Sequence, residues 1–204
     1  MLINKNTKIV GKRCILVPYR VEHVLKYHCW MQSEELQRLT ASTPLSLEEE
    51  YEMQKSWMID ENKCTFIILD KHMFENTGNE IESMIGDTNL FFANTDDRIC
   101  AEAEIMIAEK WARGRKCGSE AMLLMLLYGV ETLSVKQFVV KIADDNDVSI
   151  NMFRNFGFSE VSRSRVFREI TFSRIVDGEW TGWLKSKVEP YQVIKENETH
   201  SDQL

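Results

Sequence analysis

The sequence predicts a mixed α/β fold, with a central sheet of about seven strands and helices that flank it. Short apolar runs alternate along the chain with amphipathic runs of helical period. A length of 204 residues is sufficient for one full hydrophobic core. Hydrophobic residues make up 44% of the chain and charged residues 28%, which is typical of a globular protein rather than a disordered one.

The first half of the chain predicts one strand, two helices and then three strands. The strands are expected at 13–19, 65–69, 84–93 and 100–108, and the helices at 21–31 and 47–58. Ser46 and Glu49 form a capping box at the start of the second helix. Residues 36–43 predict a polar loop or a short helix, residues 71–82 a turn-rich hairpin connection, and residues 94–97 a turn.

The second half of the chain predicts a helix, a strand, a short helix and two strands. The helix at 119–132 has apolar residues at intervals of three and four, namely Met122, Leu123, Leu126, Leu127 and Val130. The later elements are expected at 137–142, 149–155, 161–167 and 169–175. We expect one domain over 1–185 and a polar, frayed tail over 186–204.

Composition and charge exclude several classes of protein. The net charge is −7 and the pI about 5.2, whereas a nucleic-acid binder usually carries a basic face, so we expect no nucleic-acid partner. We find no apolar run long enough to predict a membrane span, and no signal peptide at the N-terminus. Five cysteines without a C-x-x-C pair argue against a disulfide framework and a metal site. Reduced thiols predict a cytoplasmic protein, with the nucleus as the alternative compartment.

The stretch from residue 104 to residue 122 carries the strongest functional signal. An apolar strand that includes Ile105, Met106 and Ile107 leads into a basic turn, and the turn opens directly into a helix. The turn consists of Arg113, Gly114, Arg115, Lys116, Cys117, Gly118 and Ser119. The free N–H groups and the positive dipole end of a helix at such a junction predict a phosphate site. The alternative is an ordinary basic loop between a strand and a helix.

A second motif runs from Asn146 to Phe158. Ser149 is expected to cap a short helix, Phe153 to fill the core, and Gly157 to end the helix in a left-handed conformation. Asn146 lies at the end of the preceding strand, where its amide is free to contact a ligand. The alternative is a well-capped short helix with no ligand.

Together the two motifs resemble the signatures of the Gcn5-related N-acetyltransferase (GNAT) family. The order Arg-Gly-x-x-x-Gly is similar to the family's acyl-CoA pyrophosphate loop, Gln/Arg-x-x-Gly-x-Gly/Ala. The second motif is similar to Asn-x-x-Ser-ϕ-x-ϕ-aromatic-x-x-x-Gly-Phe, where ϕ is apolar. The resemblance implies a mostly antiparallel sheet whose fourth and fifth strands splay apart to admit an acyl-CoA. Lys116 departs from the pattern, because it stands at the loop's first glycine and lysine resists positive φ.

The resemblance also implies acetyl-CoA as cosubstrate, and no metal. The residues implied for acetyl-CoA are Ile105, Met106, Ile107, the turn from Arg113 to Ser119, Asn146, Ser149 and Phe153. Asn146 would hydrogen-bond either the pantetheine arm or the acceptor.

Several further segments resemble the N-acetyltransferase 9 subgroup of this family. They are residues 9–19, 22–24, 30–31, 33–42, 64–67 and 86–91. The subgroup lies near acetyltransferases that modify protein amines, and relatives have been linked to tubulin and microtubules. The implied function is direct acetyl transfer, in a ternary complex, to an N-terminal α-amine or a lysine. The alternative is a catalytically weak binding module that acts through a partner such as tubulin.

Glu104, Glu102 and Asn146 are the candidate catalytic residues. The two glutamates lie two positions apart on one strand and point to one face, where nearby carboxylates raise each other's proton affinity. One of them could take the proton of the acceptor amine, or both could bind a cationic acceptor or form a solvated face. Phe153 stands where the family has a tyrosine acid and cannot donate a proton. Cys117 could have a lowered pKa at a helix N-terminus, but no base that would support a nucleophilic thiol is evident.

Overall fold

Nine strands form one open sheet in the computed structural model, which describes residues 1–93 and 99–195. They are β1 (Thr7–Val10), β2 (Cys14–Pro18), β3 (Lys63–Asp70), β4 (Met84–Phe92), β5 (Cys100–Ile107), β6 (Gln137–Ala143), β7 (Ser159–Ser164), β8 (Glu169–Ile175) and β9 (Gln192–Lys195). The order is β7-β8-β6-β5-β4-β3-β2-β1-β9. All neighbours are antiparallel except β5 and β6, which are parallel. The predicted mixed, mostly antiparallel sheet is confirmed.

The predicted count of about seven strands is wrong, because β1 and β9 were not anticipated. Each has four residues, and the two pair with each other, with Thr7 opposite Lys195. β9 is an edge strand and is almost entirely exposed, so it carries no buried stripe that a pattern could reveal. The pairing of chain segments so far apart is a tertiary effect.

Eight α-helices accompany the sheet in the described ranges. They are α1 (Val24–Trp30), α2 (Glu34–Leu39), α3 (Leu47–Ile59), α4 (Lys71–Thr77), α5 (Glu80–Ser83), α6 (Cys117–Glu131), α7 (Asp147–Asn155) and α8 (Gly178–Val188). The capping box is confirmed, since Ser46 Oγ accepts from Glu49 N at 3.2 Å and Glu49 Oε2 from Ser46 N at 2.7 Å. None of the described helices is both long and apolar enough to cross a membrane.

Two regions differ from the expected element pattern. Residues 71–82 were expected to form a hairpin connection but contain α4 and most of α5, which Asp70 and Asn79 cap at their N-termini. α8 was not predicted, and the expected boundary after residue 185 falls inside it. The predicted turn at 94–97 and the last nine residues of the predicted tail lie outside the described residues.

Helices cover both faces of the sheet, so each central strand is buried on both sides. In β3, Phe66 and Ile68 pack in the cluster that contains α6, while Ile67 and Leu69 pack on the opposite face with α1. Strands buried on both faces read as continuous apolar runs, as the sequence of β3 does. The site described below forms where this sheet opens.

Glu120 fastens the first turn of α6 to the start of β2. Its Oε1 accepts from Arg13 N at 2.8 Å, and its Oε2 accepts from Arg13 Nη1 at 3.1 Å. Glu120 is 6% exposed, and a negative charge in the first turn also suits the helix dipole. The N-terminus of α6 is therefore held against the sheet.

The parallel pair β5–β6 separates partway along its length. Pairing covers only Cys100–Gln137, Ala101–Phe138 and Glu102–Val139, although β5 continues to Ile107 and β6 to Ala143. The splay that the family resemblance implied is thus present. It leaves a gap in the middle of the sheet, beyond Glu102.

Gly86 allows β4 to approach the part of β5 that borders this gap. A Cβ at this position would lie 1.9 Å from the carbonyl oxygen of Met106. We therefore expect Gly86→Ala to lower the free energy of unfolding by roughly 2–4 kcal/mol in urea denaturation followed by circular dichroism.

Gly182→Ala is the matched control, because Gly182 lies exposed in α8 and nothing would lie within 4 Å of its Cβ. Alanine there should raise the free energy of unfolding by up to about 1 kcal/mol. Equal stability of the two variants would contradict the close approach at Gly86.

Candidate functional site

The gap between β5 and β6 opens into a first cleft of about 510 Å³. One wall is the unpaired end of β5, with Ile105, Met106 and Ile107. The other wall is the start of α7, with Ser149 and Met152. Most of the lining is apolar, so the cleft suits a ligand with a long, weakly polar body.

The basic turn closes one end of the first cleft. Arg113, Gly114, Lys116, Gly118 and Ser119 all line it, and α6 begins at Cys117. The first N–H groups of a helix have no partner within the helix, and the dipole makes this end positive. Because α6 is a 15-residue helix fixed by Glu120, the turn presents a rigid anion-binding end.

Lys116 adopts the left-handed conformation that its family position requires, with φ of 66° and ψ of 6°. The expectation that lysine would resist positive φ is therefore wrong for this residue. Gly114 also has positive φ, at 74°. The turn thus keeps its glycine-like backbone, at the cost of about 1–2 kcal/mol of local strain at the lysine.

Arg113 is held in place by two acceptors. Its Nε donates to Ile107 O at 2.9 Å, and its Nη1 donates to Glu35 Oε1 at 2.7 Å. The pKa of Glu35 is lowered by the hydrogen bond from Arg113 and by its charge. Arg113 therefore already lines the cleft before an anion binds at the turn. The anion could replace the Glu35 carboxylate as the partner of its guanidinium group.

Helix α2 covers the first cleft, which the sequence did not indicate. Leu36, Leu39 and Thr40 from this segment line the cleft, and Arg38 pairs with Asp145 at 2.8 Å. Residues 36–43 were predicted as a polar loop or a short helix, and the structure has helix over 36–39 and turn or loop over 40–43. The apolar Leu36 and Leu39 were the available signal for a covering role.

Two of the predicted turn residues do not line the cleft. Arg115 is exposed, with its guanidinium carbon 5.4 Å from the ring centroid of Trp111. Cys117 is 3% exposed and packs in the core. Burial raises the pKa of the Cys117 thiol, whereas a lowered pKa was considered from its position at the helix N-terminus.

Asn146, not Ser149, caps α7. Asn146 Oδ1 accepts from Ser149 N at 3.1 Å, so the predicted capping role of Ser149 is wrong and its hydroxyl is not used for the cap. Both residues line the first cleft. Gly157 ends the motif with φ of 82°, as predicted. The amide nitrogen of Asn146 stays available to a ligand, because the cap uses only the oxygen.

A second cleft of about 410 Å³ borders β5 next to the first. Ile105, Met106, Asn146 and Ser149 line both clefts, so the two adjoin each other. Phe153 lines the second cleft rather than the first and packs edge-on against Phe158, with ring centroids 5.2 Å apart. Apart from Arg115 and Cys117, the predicted site residues thus line one or both of two adjoining clefts.

Glu102 and Glu104 both line the second cleft, which confirms that they share one face. Glu102 Oε2 accepts from Lys141 Nζ at 2.7 Å. Solvent reaches Glu104 through the cleft, yet the surrounding protein atoms raise the pKa of its carboxyl, and the charge of Glu102 raises it further. Glu104 therefore holds a proton more readily than an ordinary surface glutamate.

Asp87 is a third carboxylate in the second cleft, and sequence reasoning missed it. It is 2% exposed, and burial raises its pKa to about 7. Asn89 Nδ2 donates a hydrogen bond to Asp87 Oδ2 at 2.8 Å, and this bond lowers the pKa of Asp87 in part. The available signal was an acid within an otherwise largely apolar strand, Met84-Ile85-Gly86-Asp87-Thr88-Asn89-Leu90.

A parted sheet, a helix N-terminus at one end of the gap and carboxylates beyond it define the class as acetyltransferases with the GNAT fold. The chain belongs to this family, because the model of the acetyltransferase (GNAT) domain matches residues 13–159. Within the family, the chain is similar to proteins named for N-acetyltransferase 9, and the resemblance seen in the sequence is confirmed.

The relatives and solved structures agree on this placement. The N-acetyltransferase 9-like protein of Nematostella vectensis is 54% identical over 172 residues, which cover 84% of this chain and 87% of that protein. The alpha/beta-tubulin-N-acetyltransferase 9 of Drosophila melanogaster is 50% identical over 193 residues, 93% of this chain and 96% of that protein. The fold is similar to that of the Vibrio cholerae spermidine N-acetyltransferase, solved in complex with CoA and spermine, with a TM-score of 0.69 and 16% sequence identity. The match covers 80% of this chain and 95% of that chain.

The left-handed backbone at Lys116 leads to a stability prediction. Lys116→Gly removes the strain of a side chain at positive φ but adds flexibility to the unfolded chain. We expect the free energy of unfolding to rise by up to about 1 kcal/mol, whereas Lys116→Ala should change it by less than about 0.5 kcal/mol. Urea denaturation measures both. If glycine were no more stable than alanine, residue 116 would not be left-handed in solution.

Proposed function

We propose that this acetyltransferase uses acetyl-CoA and transfers the acetyl group directly to a protein amine in a ternary complex. The observation that carries the proposal is that two clefts of opposite character adjoin at Ile105 and Met106, which line both. The first ends at the positive terminus of α6, and the second contains Asp87, Glu102 and Glu104. An anionic donor and a cationic acceptor can therefore meet from opposite sides.

The residues of the first cleft fit a CoA group. The α6 terminus and the turn at Gly114 and Lys116 offer N–H groups to a diphosphate. Arg113 can exchange Glu35 for a phosphate, and the apolar walls suit a long acyl arm. When bound, acetyl-CoA supplies the thioester whose carbonyl carbon the amine attacks.

The residues of the second cleft fit a cationic amine. Carboxylates attract an ammonium group, and Tyr27 and Trp57 add aromatic walls that suit a cation or an aliphatic stem. Glu104 either contacts the acceptor or takes its proton. The named role of the Drosophila relative favours tubulin as the acceptor protein, through an α-amine or a lysine.

The compartment that we propose is the cytoplasm, with the nucleus as the alternative. No disulfide joins the five cysteines, all of which lie among the described residues, and reduced thiols are typical of both compartments.

A second candidate function is a binding module that holds acetyl-CoA but transfers it poorly, and acts through a partner such as microtubules. The observation that favours it is Phe153, which is 3% exposed among other aromatic rings and cannot protonate a leaving thiolate. The retained carboxylates of the second cleft favour the enzyme.

The cosubstrate site predicts a defined mutational effect. Gly118→Glu places a carboxylate in the lining of the first cleft, where it repels a diphosphate and fills space. We expect isothermal titration to show CoA affinity lowered by at least roughly tenfold. Gly118→Ala is the matched control, because its Cβ would meet only side-chain carbons of Ile107 and Ile105. Unchanged affinity in Gly118→Glu would place CoA elsewhere.

Transfer itself separates the two candidate functions. Wild-type chain incubated with labelled acetyl-CoA and a peptide library that contains tubulin-derived peptides should label amines. Glu104→Gln should lower the rate by roughly tenfold or more, since it removes a charged contact in a partly buried cleft. Tight CoA binding without label on any peptide would instead support the binding module.

A further inference from the structure

Asp87 lies on the floor of the second cleft, next to the point where the two clefts meet. In the β4–β5 register it stands opposite Met106, which lines both clefts. Glu104 stands opposite Asn89 and lines the second cleft. In the strand register, Asp87 is therefore nearer than Glu104 to Met106, where the two clefts meet.

A chain of hydrogen bonds orients the Asp87 carboxylate. Thr65 Oγ1 donates to Asn89 Oδ1 at 2.6 Å, which directs the amide nitrogen of Asn89 toward Asp87. That nitrogen donates to Asp87 Oδ2 at 2.8 Å. Among the described residues, the hydrogen bond to Asp87 is accepted by Oδ2, so Oδ1 is left for a ligand. Asn89 thus holds the Asp87 carboxylate in position, in the way that a second side chain orients the base in many catalytic sites.

Asp87 is buried without a cation. In the described part of the chain no ion pair joins it, and the basic residues of this cleft are engaged elsewhere, Lys141 with Glu102 and Arg38 with Asp145. An ionised carboxylate buried in this way costs free energy that a neutral side chain of similar shape would avoid. A structural role does not require that cost, but a ligand that brings an ammonium group would offset it.

We propose that Asp87 takes the proton from the acceptor ammonium, and that Glu104 holds the incoming cation beside it. This role rests on the proposed acetyl transfer and assigns the base to a residue other than Glu102 or Glu104. Asp87 is the catalytic residue in this account, and Asn89 and Thr65 are positioning residues.

The step is balanced as follows. The acceptor ammonium gives one proton to Asp87 Oδ1, and the free electron pair on nitrogen forms the new N–C bond to the thioester carbonyl. The C–S bond breaks, and sulfur leaves with its electron pair. Nitrogen loses its second proton as the amide forms, and sulfur takes up one proton. Asp87 returns its proton to solvent through the second cleft, so the net release is one proton.

The surroundings of Asp87 suit a base that works near neutral pH. Glu104 from β5 faces it, as do Tyr27 from α1 and Tyr19 just after β2, while Glu50 from α3 faces the two tyrosines. Burial raises the pKa of Asp87 to about 7, and the negative charge of Glu104 contributes in the same direction. A base of this pKa is protonated and inactive below pH 7 and active above it.

The test is the pH dependence of kcat/KM for one acceptor peptide, measured at saturating acetyl-CoA, because this ratio reports the ionisation of the enzyme before the acceptor binds. In the wild-type chain we expect kcat/KM to rise with pH through an apparent pKa near 7. Asp87→Asn should lower kcat/KM roughly 100-fold and remove this rise near pH 7, with CoA affinity unchanged by titration. Glu104→Gln should keep the rise but move it to lower pH, because it removes a negative charge beside Asp87.

Two controls show that the variants are folded and that the effect is local. Asp87→Asn should be at least as stable as the wild-type chain at pH 8 in thermal denaturation, because it replaces a buried charge with a neutral group. Glu179→Gln changes an exposed carboxylate of α8 and should leave the pH profile unchanged.

The outcomes separate this role from the proposed function. If Asp87→Asn kept the rise in kcat/KM near pH 7, or if Glu104→Gln abolished it, Asp87 would not be the base while acetyl transfer would stand. If the wild-type chain labelled no amine, the proposed function would be overturned and this role with it.

Discussion

The functional site depends on the incomplete pairing of β5 with β6. A parallel pair that stayed bonded to Ile107 and Ala143 would close the sheet and leave no cleft. Pairing stops after Glu102 and Val139, so the backbone groups and side chains that follow face a gap. On the other side of β5 the antiparallel ladder with β4 runs unbroken from Ala101 to Ile107. One strand therefore belongs to a rigid sheet on one edge and to a cleft on the other.

The two clefts that border that strand have opposite electrostatic character. The positive end arises from the backbone of α6, which Glu120 fastens to the sheet, and from Arg113, which Glu35 and the Ile107 carbonyl hold. The negative end arises from acids on two neighbouring strands, Asp87 on β4 and Glu102 and Glu104 on β5. The backbone N–H groups at the start of α6 are fixed by the helix, so this part of the positive end requires no rearrangement to receive an anion.

Much of this site could be predicted from local pattern. The strand–turn–helix sequence placed the anion-binding end, because residues within one turn of a helix start are close in space whatever the rest of the chain does. The alternation of a strand placed Glu102 and Glu104 on one face for the same reason. The capping box at Ser46 and the left-handed end at Gly157 are equally local. In each case the interacting groups are only a few residues apart.

Other parts of the site depend on contacts between distant segments. The covering position of α2 follows from Glu35 meeting Arg113 and Arg38 meeting Asp145, pairs separated by 78 and 107 residues. The burial of Asp87 and the orientation that Asn89 and Thr65 impose on it follow from the β3–β4 and β4–β5 registers. No periodicity of β4 alone shows that one of its side chains will lie at a cleft junction.

The sequence by itself determined the family and the turn that begins α6, because short motifs encode backbone geometry over a few residues. The family resemblance in turn implied the mostly antiparallel sheet and the splay of its fourth and fifth strands. Tertiary structure alone decided which helix covers the opening in the sheet and which carboxylates are dehydrated. The physical reason is that burial and long-range pairing determine both the pKa of an acid and the shape of a cleft. These depend on which distant segments pack together, as the pairing of β1 with β9 and the enclosure of Asp87 both show.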